Sequence, residues 1–188
     1  MRLFVAIPLP DEVKRHMVEL QGEVQGVRWV PTEQMHLTLR FLGDTGEATL
    51  QRLCDELVAV AFAPFTFDAA GTGCFPSRKK PRVLWAGVSA GEELTRLQHE
   101  IEQRVQALGF EPENKPFHPH ITLGRCKAAD PGHVSRFLDR NRDRQLGSVA
   151  VTSFSLFSST LGRQGARHTE LRVFEAWKEE RPGQGNES

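Results

Sequence analysis

Two short segments of the chain place a histidine two residues before a threonine. The segment HLTLRFLG contains His36 and Thr38, and the segment HITLGR contains His120 and Thr122. Both segments are largely apolar, as expected of buried strands. Alternate residues of a strand face the same side, so each histidine is predicted to share a face with its threonine, opposite the leucines and isoleucine.

These residue types suit phosphoryl transfer. A neutral imidazole can take a proton from an attacking oxygen, and a protonated imidazole can give one to a leaving oxygen. Threonine hydroxyls can donate hydrogen bonds to the non-bridging oxygens as negative charge develops there. An arginine is the expected third partner, because its planar fork fits phosphate.

Two arginines are candidates for that partner. Strand alternation places Arg40 on the same face as His36, and Arg125 follows Thr122 by three residues. Arg125 has the opposite parity, but Gly124 is expected to let the backbone bend so that Arg125 turns into the site. We therefore predict that both arginines contact phosphate.

The histidine strands occupy equivalent places in two similar halves of the chain. Each half runs strand, amphipathic helix, histidine strand, helix, and the two histidines are 120 − 36 = 84 residues apart. A single His-x-Thr is weak evidence, since a strand histidine is commonly structural. Its repetition in a repeated unit indicates an internal duplication and a cleft where both pairs converge.

Hydrophobic spacing predicts the elements that carry these strands. Leucine, isoleucine and valine recur at steps of three and four over 94–108, which is the clearest helical pattern in the chain. Further helices are predicted from Asp11 onward, over 46–61 and over 131–141. The other strands are predicted at 2–9, 27–30 and 83–89, with β-rich sequence in SVAVTSFSLFSSTL and ELRVFEA.

Composition restricts the class of protein. The 188 residues are 39% hydrophobic and 26% charged, as in soluble globular proteins, and 24 basic residues balance 24 acidic ones. Net charge therefore gives no reason to expect nonspecific binding to nucleic acid or membrane. No signal peptide is evident, and the three cysteines are widely spaced without a Cys-x-x-Cys pair. We expect a cytoplasmic, metal-free protein.

HLTLRFLG and HITLGR resemble the two signature motifs of the two-histidine (2H) phosphoesterase superfamily. Within it, the chain looks like the bacterial and archaeal RNA 2′,3′-cyclic phosphodiesterases, also called 2′-5′ RNA ligases. The segments RLFVAIPLP, VRWVPTEQMHLTLRFLG, KPFHPHITLGR and LFSSTLGRQGARHTEL all look like that family. The resemblance covers nearly the whole chain.

The resemblance implies a reaction and a role for each residue. His36 would be the proton donor and His120 the proton acceptor, with Thr38 and Thr122 holding the phosphate. Water activated by His120 would open a terminal 2′,3′-cyclic phosphate, leaving a 2′-phosphate, and the reverse chemistry could form a 2′-5′ linkage. The expected partners are RNA ends with a 2′,3′-cyclic phosphate, including tRNA fragments. No cofactor, no membrane association and a monomeric state are expected.

The predicted fold is α+β. Two pseudo-twofold-related lobes, each an antiparallel-rich sheet with helices on its outer face, would enclose a central cleft. Residues 1–180 are expected to form this single duplicated domain, and the polar segment 181–188 to be a disordered tail.

Several residues near the predicted site leave alternatives open. His168 lies where the family usually has a tyrosine, and it is a candidate for contact with the base or ribose. Trp29 could stack a base or belong to the core, and Phe41 is assigned to the core face. The basic run SRKKPR at 77–82 could bind RNA phosphates or form a solvated turn. His118 is expected to be structural or exposed.

The same residues also allow three other interpretations. A zinc site on His36, His118 and His120 is disfavoured, because no carboxylate or cysteine accompanies them nearby. A phosphodiesterase acting on another cyclic nucleotide or on 2′-5′ oligonucleotides would use the same residues. An RNA-end-binding protein with incidental turnover would bind RNA strongly even without its histidines.

Overall fold

A computed structural model describes residues 1–162 and 165–177. Within these residues the chain forms nine strands, four α-helices and a 3₁₀ turn at Thr32–Gln34. The strands are β1 Arg2–Pro8, β2 Val27–Trp29, β3 His36–Asp44, β4 Phe65–Ser77, β5 Lys80–Ala90, β6 His120–Cys126, β7 Gln145–Val151, β8 Ser153–Gly162 and β9 Gly165–Glu175. The helices are α1 Asp11–Val18, α2 Glu47–Val58, α3 Glu92–Ala107 and α4 Pro131–Arg140.

The strands join in one antiparallel sheet with the histidine strands at its centre. The order is β7-β4-β5-β6-β3-β1-β8-β9, and β2 pairs with β6 beside β3. β3 and β6 meet through a single pair of residues, Leu37 and Ile121. The α+β class predicted from the sequence is confirmed, and the two histidine strands lie side by side as expected.

The four helices cover the sheet and form the core with it. The predicted stripe on α3 is confirmed, since Leu94, Leu97, Ile101 and Val105 are all buried. Burying each such side chain stabilises the fold by roughly 2 kcal/mol. α1 ends at Val18, earlier than its hydrophobic spacing indicates. None of the helices in the described ranges is long and apolar enough to cross a membrane.

A β-bulge interrupts each histidine strand at the leucine after the threonine. In β3, Thr38 pairs with Ala6 and Arg40 pairs with Val5, so Leu39 has no partner on β1. In β6, Thr122 pairs with Trp85 and Gly124 pairs with Leu84, so Leu123 has no partner on β5. An extra residue in one strand reverses the facing of every residue beyond it. The simple alternation assumed from the sequence therefore fails beyond each bulge.

Because of the bulge in β3, Arg40 and Phe41 face the opposite sides of the strand from those predicted. Arg40 is buried, with Nε 2.5 Å from Glu102 Oε2 and Nη1 2.8 Å from Glu113 Oε1. Its guanidinium also donates to the backbone carbonyls of Phe41 and Glu111. Phe41 is 62% exposed instead of lying in the core. The prediction that Arg40 shares the His36 face is wrong, and Arg40 is therefore not a candidate for contact with the phosphate.

One strand has no clear signature in the sequence. In β4 the apolar–polar alternation holds only over 65–69 and is interrupted at Gly71 and Gly73. It forms a long hairpin with β5, and the basic run SRKKPR lies at the turn of this hairpin. Arg78 in the turn pairs with Asp139 of α4 at 2.7 Å. The expected tail at 181–188 lies outside the described residues.

Candidate active site

A cleft of about 660 Å³ runs past the central pair of strands. The predicted site residues that line it are His36, Thr38, His120, Thr122, Arg125, Trp29 and His168. The chain brings these residues together because β3 and β6 are neighbours in the sheet. The strand β9 is tied to the segment just before β3, because the Gln34 side chain donates a hydrogen bond to the Ala166 carbonyl. Of the residues predicted to contact substrate, Arg40 alone does not line this cleft.

His36 lies against a stack of aromatic rings. Its imidazole stacks on Phe4 at a centroid distance of 4.8 Å, and Phe157 stacks on Phe4 at 5.3 Å. Burial among these rings lowers the pKa of His36 to about 4, and a protonated His168 nearby contributes to the lowering. A hydrogen bond with the Gln34 backbone acts in the opposite direction. In the free protein His36 is therefore neutral at pH 7.

His120 is half-buried, and its ring is held by the segment just before its strand. Its Nδ1 lies 2.7 Å from the His118 backbone carbonyl, which can only accept, so Nδ1 must carry a proton. In the neutral ring this leaves Nε2 as an acceptor. Burial lowers the pKa of His120, and the hydrogen bond to His118 opposes that shift. Phe75 packs edge-on at 4.9 Å and fixes the ring plane.

The two threonines occupy matching positions beside the histidines. Thr38 and Thr122 are both half-buried and both line the cleft. Each lies two residues after its histidine and just before the bulge, so its hydroxyl faces the same side as the imidazole. The arrangement offers two proton-transfer groups and two hydroxyl donors to one small anion.

Arg125 reaches the cleft by a mechanism other than the one expected. The bulge at Leu123 turns Arg125 to the cleft side and Gly124 to the opposite side. Gly124 is needed for packing, because an added Cβ would lie 2.6 Å from Cγ1 of Val27 on β2. Arg125 is exposed.

His168 is a third histidine in the site. Its ring lies 5.3 Å from that of His36 and meets Phe4 edge-on at 4.8 Å. Burial lowers the pKa of His168, and its Nδ1 is buried without a hydrogen-bond partner among the described residues. Trp29 lines the cleft, but its ring packs edge-on against Phe137 of α4. This packing favours a structural role for Trp29 over base stacking.

Sequence reasoning misses three residues of the site. Phe4 has the sequence context of an ordinary core residue, and the bulge that exposes Phe41 has no signature in the sequence. Arg28 could have been identified by alternation within the short strand VRWV. Val27 and Trp29 face inward in that strand, which leaves Arg28 on the cleft side.

A second cavity of about 670 Å³ adjoins the cleft, sharing Thr38, Phe41 and His120 with it. His118 lies on that side, with its ring 5.3 Å from Trp85. Among residues 1–162 and 165–177, no three His, Cys, Asp or Glu side chains are grouped so as to hold a metal ion. The zinc interpretation of the histidines therefore has no support from their arrangement.

Comparison with known proteins gives a consistent result. The family model for LigT-like phosphoesterases matches residues 7–85 and again 87–168. The RNA 2′,3′-cyclic phosphodiesterase of Archaeoglobus fulgidus is 40% identical over 179 residues, which covers 93% of this chain and 100% of that protein. The Thermotoga maritima protein of the same name is 36% identical, over 88% of this chain and 90% of its own length.

Solved structures share the fold. A crystal structure of a protein from Thermus thermophilus superposes with a TM-score of 0.79 at 36% identity, covering 93% of this chain and 97% of that one. Escherichia coli LigT complexed with 3′-AMP superposes with a TM-score of 0.78 at 27% identity, covering 94% and 98%.

Proposed function

We propose that this chain, which belongs to the LigT-like phosphoesterase family, is an RNA 2′,3′-cyclic phosphodiesterase that opens the terminal cyclic phosphate to a 2′-phosphate. Curated relatives with that activity in their names are up to 40% identical over most of the chain. The observation that carries the proposal is the pair of His-x-Thr strands meeting at the centre of the sheet, with all four side chains lining one cleft.

His120 is the proton acceptor in this proposal. Its Nδ1 is already committed to the His118 carbonyl, so the lone pair on Nε2 can take a proton from water. The lowered pKa keeps the ring neutral near pH 7. The activated water would attack phosphorus in line with the 3′ oxygen.

His36 is the proton donor to the departing 3′ oxygen. Because its pKa is about 4 in the free protein, this role requires that its pKa rise when substrate binds. A bound phosphate brings negative charge next to the imidazole, which favours the protonated form. Thr38 and Thr122 would donate hydrogen bonds to the non-bridging oxygens as charge develops there.

By microscopic reversibility, the same groups could join a cyclic phosphate end to a 5′-hydroxyl as a 2′-5′ linkage. Hydrolysis would prevail unless the second RNA end is held in place. We further propose that the substrates include tRNA fragments, that the protein acts as a monomer and that it works in the cytoplasm. The free state of Cys54, Cys74 and Cys126 supports that last assignment.

We also propose that residues 1–180 are one duplicated domain. The strand order supports this, since β6, β5, β4 and β7 on one side of the centre mirror β3, β1, β8 and β9 on the other. The matching bulges after Thr38 and Thr122 are difficult to explain by two independent origins. The match of a single family model to two successive segments gives further support.

The reaction is tested by incubating the protein with RNA that ends in a 2′,3′-cyclic phosphate, in the presence of EDTA. The proposal requires a 2′-phosphate product and an unchanged rate with chelator. A 3′-phosphate product or loss of activity with EDTA would contradict it.

Parallel assays with cyclic mononucleotides and 2′-5′ oligomers test the substrate class. Tight RNA binding that survives loss of both histidines, without turnover, would instead indicate an RNA-end-binding protein.

A further inference from the structure

The segment before β6, residues 108–119, carries the group that orients His120. It joins α3 to β6, and its His118 carbonyl accepts the Nδ1–H of His120. That hydrogen bond leaves the lone pair of the neutral ring on Nε2, where the proposed reaction needs it. The position of this segment therefore decides whether His120 can take a proton.

The segment before β6 is not fixed by its own backbone. Among the described residues, 111–117 form no hydrogen bond from backbone to backbone. The equivalent segment before β3 differs, because the 3₁₀ turn Thr32–Gln34 is closed by its own backbone hydrogen bonds. The last residue of that turn bonds His36 through its backbone, as His118 bonds His120. Side chains must hold the segment before β6 in place.

Arg40 of β3 is the centre of the group of side chains that does so. Its guanidinium donates to the Glu111 carbonyl and to Glu113 Oε1, the latter at 2.8 Å. Glu102 of α3 lies with Oε2 2.5 Å from Arg40 Nε, and its Oε1 accepts the Glu113 N–H at 3.2 Å. Arg40 and Glu102 are both buried. We refer to these four residues as the Arg40 cluster.

The other half of the sheet forms without such a cluster. The position in β6 that corresponds to Arg40 is Gly124, which carries no charge. A buried ion pair stabilises a fold no more than apolar side chains of similar volume would, because both charges lose their hydration. The Arg40 cluster is therefore better explained by the segment that it holds than by a gain in stability.

The Arg40 cluster is close in sequence to the orienting carbonyl. Glu113 lies five residues before His118, by 118 − 113. Between them, Pro116 has a fixed φ and Phe117 packs against the core. A displacement at Glu113 is therefore transmitted along a short and stiff stretch of chain.

We propose that Arg40 is a positioning residue for His120. It acts through the segment before β6, by holding the His118 carbonyl where it accepts the Nδ1–H of His120. The inference rests on the proposed function for the role of His120 as the proton acceptor. Arg40 itself lies outside the lining of the cleft and does not contact the phosphate. One His-x-Thr strand thereby orients the histidine of the other.

Nuclear magnetic resonance measures the tautomer of His120 and needs no turnover. Above about pH 7, where the ring is neutral, the ¹⁵N shifts of the wild-type protein should show a proton on Nδ1. Arg40→Lys keeps a positive charge beside Glu102 but loses the planar fork that reaches the segment. In this variant the His120 signals should shift towards a mixture of tautomers, while those of His36 stay unchanged.

A second variant keeps the test decisive if Arg40→Lys does not fold. Glu113→Ala removes one exposed partner of the Arg40 cluster and should give a smaller shift in the same direction. Glu113→Gln can still accept a hydrogen bond from Arg40 and should restore the wild-type signals. The matched control is Arg104→Lys, which alters another ion-paired arginine of α3 and should leave His120 unchanged.

Kinetics with cyclic-phosphate RNA measure the consequence for the reaction. Arg40→Lys should lower kcat by about tenfold, a part of the roughly 10²–10⁴-fold that a positioned base contributes, and leave KM within about twofold. A rise in KM with kcat unchanged would show that Arg40 contacts the substrate, and would overturn the proposal.

The spectra separate this proposal from the proposed function. Wild-type His120 signals in Arg40→Lys, or in Glu113→Ala if the first variant does not fold, would refute the positioning role and leave the activity standing. Equal changes at His36 would also refute it, because they indicate a general loss of structure. If the tautomer shifts as expected but the wild-type protein hydrolyses no cyclic phosphate, the proposed function fails and the positioning role stands.

Discussion

His36 on β3 and His120 on β6 hold equivalent places in the sheet, each two residues before a threonine and three before a bulged leucine. Their surroundings differ. His36 stacks on Phe4 beside His168, whereas His120 meets the edge of Phe75 and is anchored to the His118 carbonyl. Burial lowers the pKa of His36 to about 4, and the pKa of His120 is also lowered.

The two strands diverge further after the bulge. Arg40 and Gly124 are equivalent, and so are Phe41 and Arg125. Arg40 is used for an internal ion pair with Glu102, while the corresponding position in β6 is a glycine that admits β2. The shared backbone brings the proposed catalytic groups of the two strands together, and the residues that differ between the two halves give each strand its own contacts.

The largest effect is expected from removing either histidine. A positioned general acid or base contributes about 10²–10⁴-fold to the rate. His36→Ala and His120→Ala should therefore each lower kcat by that factor in assays with cyclic-phosphate RNA, and the double variant should lose less than the product of the two. His99→Ala, at an exposed position on α3, should keep wild-type activity. Near-normal activity in either single variant would disprove the paired mechanism.

Alanine substitution should mainly reduce stability at Arg40 and mainly reduce activity at Arg125. Arg40→Ala leaves Glu102 buried without its partner, which costs about 3–5 kcal/mol of unfolding free energy. Arg125→Ala removes an exposed side chain and should change stability by less than about 0.5 kcal/mol, while lowering kcat/KM for cyclic-phosphate RNA. Denaturant unfolding and steady-state kinetics measure both quantities. A stable Arg40→Ala protein with impaired binding would restore the rejected role of Arg40.

Because the pKa of His36 is low, the free energy of unfolding should decrease at acidic pH. Its folded-state pKa of about 4 lies below the ordinary histidine value of 6.5, so the unfolded chain binds a proton that the folded chain cannot. The loss begins as pH drops below about 6.5 and reaches roughly 3 kcal/mol near pH 4. Urea unfolding of His36→Gln should not show this loss of stability at acidic pH. An identical pH dependence in that variant would mean that His36 titrates normally.

The same shifts predict the pH profile of catalysis. The kcat/KM profile reports on the free protein, in which His36 must be protonated and His120 must be neutral. The pKa of His36 is about 4, and the pKa of His120 is also lowered. The bell-shaped profile should therefore be centred on the acid side of about pH 6.5. The kcat profile should lie at higher pH, because bound phosphate favours both protonated rings. Coincident profiles would show that substrate does not raise these pKa values.

A smaller shift should follow from changing His168. When protonated, His168 lowers the pKa of His36. His168→Gln removes that charge and should raise the pKa of His36, so the limb of the kcat/KM profile that His36 governs should move to higher pH. No movement of this limb would show that the two rings are not coupled.

The sequence is sufficient for the elements whose pattern is local and periodic. The α3 stripe and the His-x-Thr pairs follow directly from residue spacing. The bulges at Leu39 and Leu123 could not be predicted, because they depend on register with β1 and β5 and not on the strand's own residues. For the same reason strand alternation assigns Arg40 and Phe41 to the wrong faces.

β4 and the Arg28–Arg125 pair show the same limit. The glycines of β4 interrupt the strand pattern in the sequence, and the strand is stabilised by pairing with β5 and β7. Arg28 and Arg125 are 97 positions apart, by 125 − 28, and only the pairing of β2 with β6 brings them together.

The most direct test of the two-histidine mechanism uses a 2′,3′-cyclic phosphate whose 3′ bridging oxygen is replaced by sulfur. A thiolate leaves without being protonated, so this substrate has no need of a proton donor but still needs a base to activate water. If His36 is the donor and His120 the acceptor, the sulfur substrate should restore His36→Ala to within about tenfold of the wild-type rate and leave His120→Ala inactive. Rescue of His120→Ala instead of His36→Ala would contradict the assignment.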